Sequence, residues 1–208
     1  MLYRLLRFIF APLVKILWIR SVEGIDNIPR GGPLIIASNH QSYLDFFCFM
    51  AICQRQIHYL TKKEHFENKI WRFFLSRTDQ ILVDRENFAK TNTYQDTMKL
   101  LQRGKVLGVF PEGARSATGK LRKAHTGIAK IVLTSGAPVL PVGIKGTYEL
   151  WSRLDKFPKF ARRCEIRIGK PLSFSELYNK DKAQNTLLYI TNTIMRQIAE
   201  LIDQEYPE

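Results

Sequence analysis

The chain has 208 residues, 45% of them apolar and 12% aromatic, and its 32 Lys and Arg against 19 Asp and Glu leave a net charge of +13. That length and apolar content suit one domain with its own core and exclude wholesale disorder. The charge calls for an anionic partner, nucleic acid or a membrane surface. Three cysteines without a CxxC pair, Cys48, Cys53 and Cys164, exclude a disulfide framework or zinc knuckle and read as small buried apolar residues.

The opening stretch, MLYRLLRFIFAPLVKILWIR, is too broken by charge to cross a bilayer. Only seven uncharged residues separate Arg7 from Lys15, against the roughly 20 apolar residues a spanning helix needs. On a helical wheel Arg4, Arg7 and Lys15 fall within an arc of roughly 80°, and the rest of the circumference is apolar. That pattern describes a helix lying in the membrane interface, with its basic groups among headgroups. A helix packed on the protein core is the competing reading. A cleaved signal peptide is not, since WIRSVEGID offers no small-residue cleavage site. Pro12 is expected to kink or break the helix into two short pieces.

Further on, short apolar runs alternate with longer helical patterns. Strands are expected at 34–38, 57–60, 81–84, 106–110, 138–144 and 164–169, with helices near 43–54, 65–77, 88–103 and 125–135. A final helix over 183–204 carries Leu187, Ile190, Ile194, Ile198 and Leu201 on one face. Such alternation predicts an α/β fold, a largely parallel sheet flanked by helices. The expected organisation is an N-terminal amphipathic membrane-associating segment over 1–22 and an α/β domain over 23–208. Removing residues 1–20 is then expected to spare the core.

In parallel sheets functional groups gather just past the carboxyl ends of strands. Behind the first predicted strand stand His40 and Asp45, in NHQSYLD. Ser42 and Asp45 read as a capping box for the next helix. Equally, a carboxylate in that first turn can reach back to His40, fix its tautomer and leave the other ring nitrogen as a base. No G-x-S-x-G elbow supplies a nucleophile, so a substrate hydroxyl is expected to be the nucleophile. Past the fourth predicted strand, PEGARSATGKL imitates a phosphate loop, but five residues separate Gly113 from Gly119 where Walker A has four. Leu121 also follows Lys120 where Ser or Thr belongs. What survives is a loop whose amides and Arg115 suit a phosphate, with Glu112 placed to accept from a polyol.

With these residues in view, the chain resembles the glycerolipid acyltransferase superfamily, most closely its PlsC-type 1-acylglycerol-3-phosphate acyltransferases. NHQSYLD (39–45), ILVDREN (81–87), FPEGARSATGKL (110–121) and VLPVGIKGT (139–147) match four blocks in order, and LTKKEHF (60–66) matches a lysine-bearing segment. The resemblance spans about 23–171. It implies acyl transfer from acyl-CoA or acyl carrier protein, as co-substrate, to the sn-2 hydroxyl of lysophosphatidic acid, with no metal or other cofactor. It makes His40 the general base and Asp45 its orienter, and assigns Arg85, Glu112, Gly113, Arg115 and Lys63 to the acceptor site. Pro141 would shape the acyl side. Ala114 stands where the family usually has Thr, which leaves room for another lysolipid or an acyl amino-acid lipid as acceptor. The resemblance implies a peripheral or monotopic protein on an anionic membrane, at the cytoplasmic face. A non-catalytic lipid carrier would not require His40, Asp45 and FPEG together, and nucleic-acid binding explains the charge but not the blocks.

Overall fold

The computed structural model describes residues 2–62, 72, 78, 80–83, 92–178 and 183–207. Seven strands form one sheet: β1 (Ile19–Glu23), β2 (Leu34–Ser38), β3 (Ile57–Lys62), β4 (Ile81–Val83), β5 (Val106–Val109), β6 (Val139–Lys145) and β7 (Cys164–Ile168). Their order across the sheet is β1-β7-β6-β2-β5-β3-β4. Every neighbouring pair is parallel except β6 with β7, which is antiparallel. The helices among the described residues include α1 (Leu2–Leu17), α2 (Leu44–Ile52), α3 (Asn92–Gln102), α4 (Gly127–Ser135), the single turn α5 (Thr147–Leu150) and α6 (Gln184–Ile202). The expected α/β architecture with a largely parallel sheet is therefore present. The helix expected over 65–77 lies, apart from Arg72, outside the described residues.

The layers follow from how β2 is buried. Its residues are apolar without interruption up to Ser38 because both faces are covered. Leu34 and Ile36 point into a core shared with α1 and α2; Ile35 and Ala37 point into one shared with α3, α4 and α6. The face of α6 read from the sequence is the buried one at Leu187, Ile190, Ile194 and Ile198, joined by Met195 and Ile202. Fully burying each such side chain stabilises by about 1.5–3 kcal/mol. The three cysteines are free and buried.

The N-terminus departs from expectation in three ways. First, α1 is one helix through Pro12. Pro12 and Phe8, whose carbonyl loses its partner, are both on the exposed side, where an unpaired carbonyl can turn to water. Second, Ile19–Glu23 is an edge strand on β7, so the sheet begins inside the segment assigned to the anchor. Third, α1 packs on α2 and buries Tyr3, Ala11 and Val14. Deleting residues 1–20 would therefore remove core. Arg7, on the expected basic stripe, is turned towards the body and half-buried; Lys15 of that stripe is exposed, and with it the apolar Leu5, Phe8, Ile9, Leu13 and Ile16. No described helix is long and apolar enough to cross a membrane.

Candidate active site

Five parallel strands, β4, β3, β5, β2 and β6, bring their carboxyl ends to one rim. Two loops and one turn build the site there. Asn39, fully buried directly after β2, uses its side-chain amide as a strand would. Its Nδ2 donates to Ile144 O at 2.7 Å and its Oδ1 accepts from Ile144 N at 2.8 Å. The start of the turn after β2 is thus fastened to the end of β6. There Gly146, at φ 78°, turns the chain in the left-handed region, and a Cβ on it would lie 2.1 Å from Arg163 O. Thr147 opens α5 beyond that turn.

Asp45 lies in the first turn of α2 and is fully buried. Its Oδ2 accepts from Gln41 N at 2.7 Å and Ser42 N at 2.8 Å and stands 2.9 Å from His40 Nδ1. Its Oδ1 accepts from Thr147 Oγ1 at 2.5 Å. The cap and the contact with His40 coexist: Asp45 reaches back to Ser42 N, and Ser42 Oγ accepts from Leu44 N at 3.0 Å. A carboxylate only accepts, so Nδ1 carries the proton and donates, and Nε2 is the free nitrogen.

The imidazole is also held by its face. It stacks on Phe110 with centroids 3.9 Å apart and planes 12° from parallel, and Phe110 stacks on Tyr59 at 5.5 Å. That stack traces to a missing side chain. Gly108 is opposite Tyr59 in the β3–β5 register, and a Cβ there would meet Tyr59 Cε1 at 2.5 Å. Tyr59 therefore lies over Gly108 and supports Phe110, the next residue on the same face of the strand. Burial pushes the Tyr59 hydroxyl well above its ordinary range.

Glu112 is buried, and both its oxygens go to backbone. Oε1 accepts from His40 N at 2.7 Å and Oε2 from Arg122 N at 2.9 Å. It clamps the loop after β5 onto the loop after β2, a bracing place where the sequence suggested a polyol contact. Burial pushes its carboxyl up to about 7 from 4.5; the two amide hydrogen bonds pull against that rise, and nearby Asp45 adds to it. A second clasp is Ser116 N donating to His40 O at 2.8 Å. Gly113, at φ 73°, turns the loop against His125.

Arg115, one residue before Ser116, lays its guanidinium over Tyr43, with Cζ 3.6 Å from the ring centroid. Its Nη1 is buried and makes no hydrogen bond. Pro141 lies mid-strand in β6, its ring against Gly169. Lys63 and Arg85 lie outside the described residues. Among the described residues no His, Cys, Asp and Glu group is arranged to hold a metal. The residue that sequence reasoning missed is Thr147. It closes the fourth matching block, but only coordinates reveal that its hydroxyl meets Asp45.

Comparison with known proteins gives the family. A family model described as Acyltransferase matches residues 19–145. A Bacillus subtilis protein named 1-acyl-sn-glycerol-3-phosphate acyltransferase is 31% identical over 185 residues, 87% of this chain and 87% of that one. A chloroplastic protein of that activity from Brassica napus is 27% identical over 61% of this chain, which spans 37% of its length. In fold, the chain is similar to the crystal structure of the 1-acyl-sn-glycerophosphate acyltransferase PlsC from Thermotoga maritima. The TM-score is 0.76 at 21% identity, covering 99% of this chain and 81% of that one. A family model over most of the sheet and a relative matched along most of its length leave one assignment: the chain belongs to the acyltransferase family.

Proposed function

We propose that the protein moves a fatty acyl group from a thioester, acyl-CoA or acyl carrier protein, to the sn-2 hydroxyl of 1-acyl-glycerol-3-phosphate, giving phosphatidic acid for phospholipid biosynthesis. The observation that carries this reading is His40, oriented by buried Asp45 at 2.9 Å, on the same rim as the unpaired guanidinium donor of Arg115. The names of the relatives support the acceptor.

A secondary alcohol is a poor nucleophile at neutral pH, and general-base removal of its proton gains about 10²–10⁴-fold. Nε2 of His40 takes that proton as the oxygen bonds to the thioester carbon. The imidazolium that forms is stabilised by Asp45 through Nδ1. Collapse of the tetrahedral species breaks the C–S bond, and the same proton goes to the departing thiolate. The thioester is already activated, so this route has no acyl-enzyme and needs no ATP. Arg115 binds the acceptor phosphate, while Glu112 holds the two loops together. Ala114 leaves the charge pattern of the loop intact but keeps another lysolipid or an acyl amino-acid lipid open as acceptor.

Membrane docking follows from magnitude. Lifting a lysolipid with about 15 buried methylenes from a bilayer costs on the order of 12 kcal/mol, at ~0.8 kcal/mol per CH₂. Reaction at the surface avoids that cost. The outward apolar face of α1, with Phe8 80% and Ile16 67% exposed, is the proposed contact, on the anionic cytoplasmic face.

The test is a donor-by-acceptor matrix with purified protein and mass spectrometry of the product, alongside His40→Ala and Asp45→Asn. Near-normal turnover in both variants would remove the mechanism. Equal rates for acceptors with and without a phosphomonoester would remove the role of Arg115.

A further inference from the structure

The segment 151–163, WSRLDKFPKFARR, runs without helix or strand between α5 and β7. Every exposed residue in it is either a cation or a large apolar side chain. Leu154, Phe157 and Phe160 are 80%, 70% and 71% exposed, and Arg153, Lys156, Lys159, Arg162 and Arg163 alternate with them. The single acid, Asp155, is occupied inside the loop, its Oδ2 accepting from Ser152 N at 2.8 Å and its Oδ1 3.6 Å from Lys159 Nζ.

The loop is also built rather than slack. Lys159 N donates to Leu150 O at 2.8 Å, and Lys159 O accepts from Trp18 Nε1 at 2.9 Å. Phe160 stacks on Trp18 at 5.7 Å, and Arg162 Nε donates to Ile19 O at 2.9 Å. One end abuts the carboxyl end of α1. The other reaches the catalytic turn, where Trp151 O accepts from Ser42 Oγ at 2.7 Å and the Trp151 ring meets Tyr43.

We propose that 151–163 is a second membrane-docking element, inserting Leu154, Phe157 and Phe160 among acyl chains while its cations engage anionic headgroups. This extends the docking read for α1 and rests on it. Exposed aromatics interleaved with cations fit a bilayer interface, where apolar bodies sink and charged ends stay with headgroups. An acidic protein partner would satisfy the cations but leaves no reason for three apolar side chains standing in water near the carboxyl end of α1.

Full-length protein is titrated with vesicles of phosphatidylcholine alone or with phosphatidylglycerol, in three variants: Leu154→Ser with Phe157→Ser, Arg153→Gln with Lys156→Gln, and Phe8→Ser with Ile16→Ser. All these side chains are exposed, and an unchanged urea midpoint confirms folding. The apolar loop variant is expected to bind both vesicles at least tenfold more weakly. The charge variant is expected to lose roughly fivefold per cation on anionic vesicles and nothing on neutral ones. Wild-type-like binding by both loop variants, with the α1 variant released, would overturn the loop and leave the α1 reading standing. Failure of the wild type to bind at all would overturn both. Unchanged vesicle binding with lost affinity for purified acyl carrier protein would replace the bilayer with a protein partner.

Discussion

The two loops at the rim are built on opposite rules. In the loop after β2 the polar atoms that matter are spoken for: Asn39 on Ile144, Asp45 on two amides, a hydroxyl and an imidazole. In the loop after β5 the backbone is equally clasped, but Arg115 keeps a buried donor with no acceptor. Proton transfer needs a base already in place; binding a phosphate needs a group left wanting. On the proposed function, one loop is finished and the other is complete only with its ligand.

The sharpest way to break that contrast is at the finished loop. His40→Ala should lower kcat by about 10²–10⁴-fold, with Asp45→Asn falling in the same direction, read in acyl-transfer kinetics. The clamp between the loops comes next. Because burial raises the Glu112 carboxyl from 4.5 to about 7, the folded protein holds that proton more tightly than the unfolded chain. Its contribution to stability is then full below about pH 4.5 and is lost as pH rises through about 7. The total is on the order of 3 kcal/mol. Urea midpoints of wild type minus Glu112→Gln, taken across that window, should decline with pH; a flat difference refutes the placement.

At the unfinished loop, Arg115→Gln should raise KM for a phosphomonoester acceptor roughly ten- to a hundredfold, the scale of a lost charge-assisted hydrogen bond. An acceptor without the phosphate should be indifferent. Smallest of all is Thr147→Val, which keeps the shape but leaves Asp45 Oδ1 without its donor. A roughly tenfold drop in kcat, together with about 1–3 kcal/mol of stability, is expected. Thr147→Ser should restore both, and an unaffected kcat in Thr147→Val would make that hydroxyl purely structural.

The parts of this molecule that could be read in advance are the local ones. His40 and Asp45 are five residues apart at a strand end, so topology alone nearly brings them together. Six strands were legible as short apolar runs bounded by turn residues. β1 was not, because IRSVE is an edge strand with a mixed burial pattern and follows an apolar helix directly. A helical wheel for residues 1–20 cannot say on which side the body lies, so Arg7 looked like a headgroup contact and sits instead against the domain. Thr147 and the double use of Glu112 depend on separations of 102 and 72 residues, distances over which no pattern in the chain carries information. The exposure of Leu154, Phe157 and Phe160 was equally hidden, since alternation of cations with aromatics means nothing until exposure is known.

Asn39 carries one last implication. By bonding to both the N–H and the carbonyl of Ile144 it extends the sheet by a single side chain, and the catalytic turn inherits the stiffness of the strands. On the proposed function, an incoming lipid finds the base assembled, and its binding energy can go to holding the headgroup still. Replacing that amide by an isosteric acid would unfasten the turn without touching a reacting atom, and catalysis would falter for want of rigidity alone.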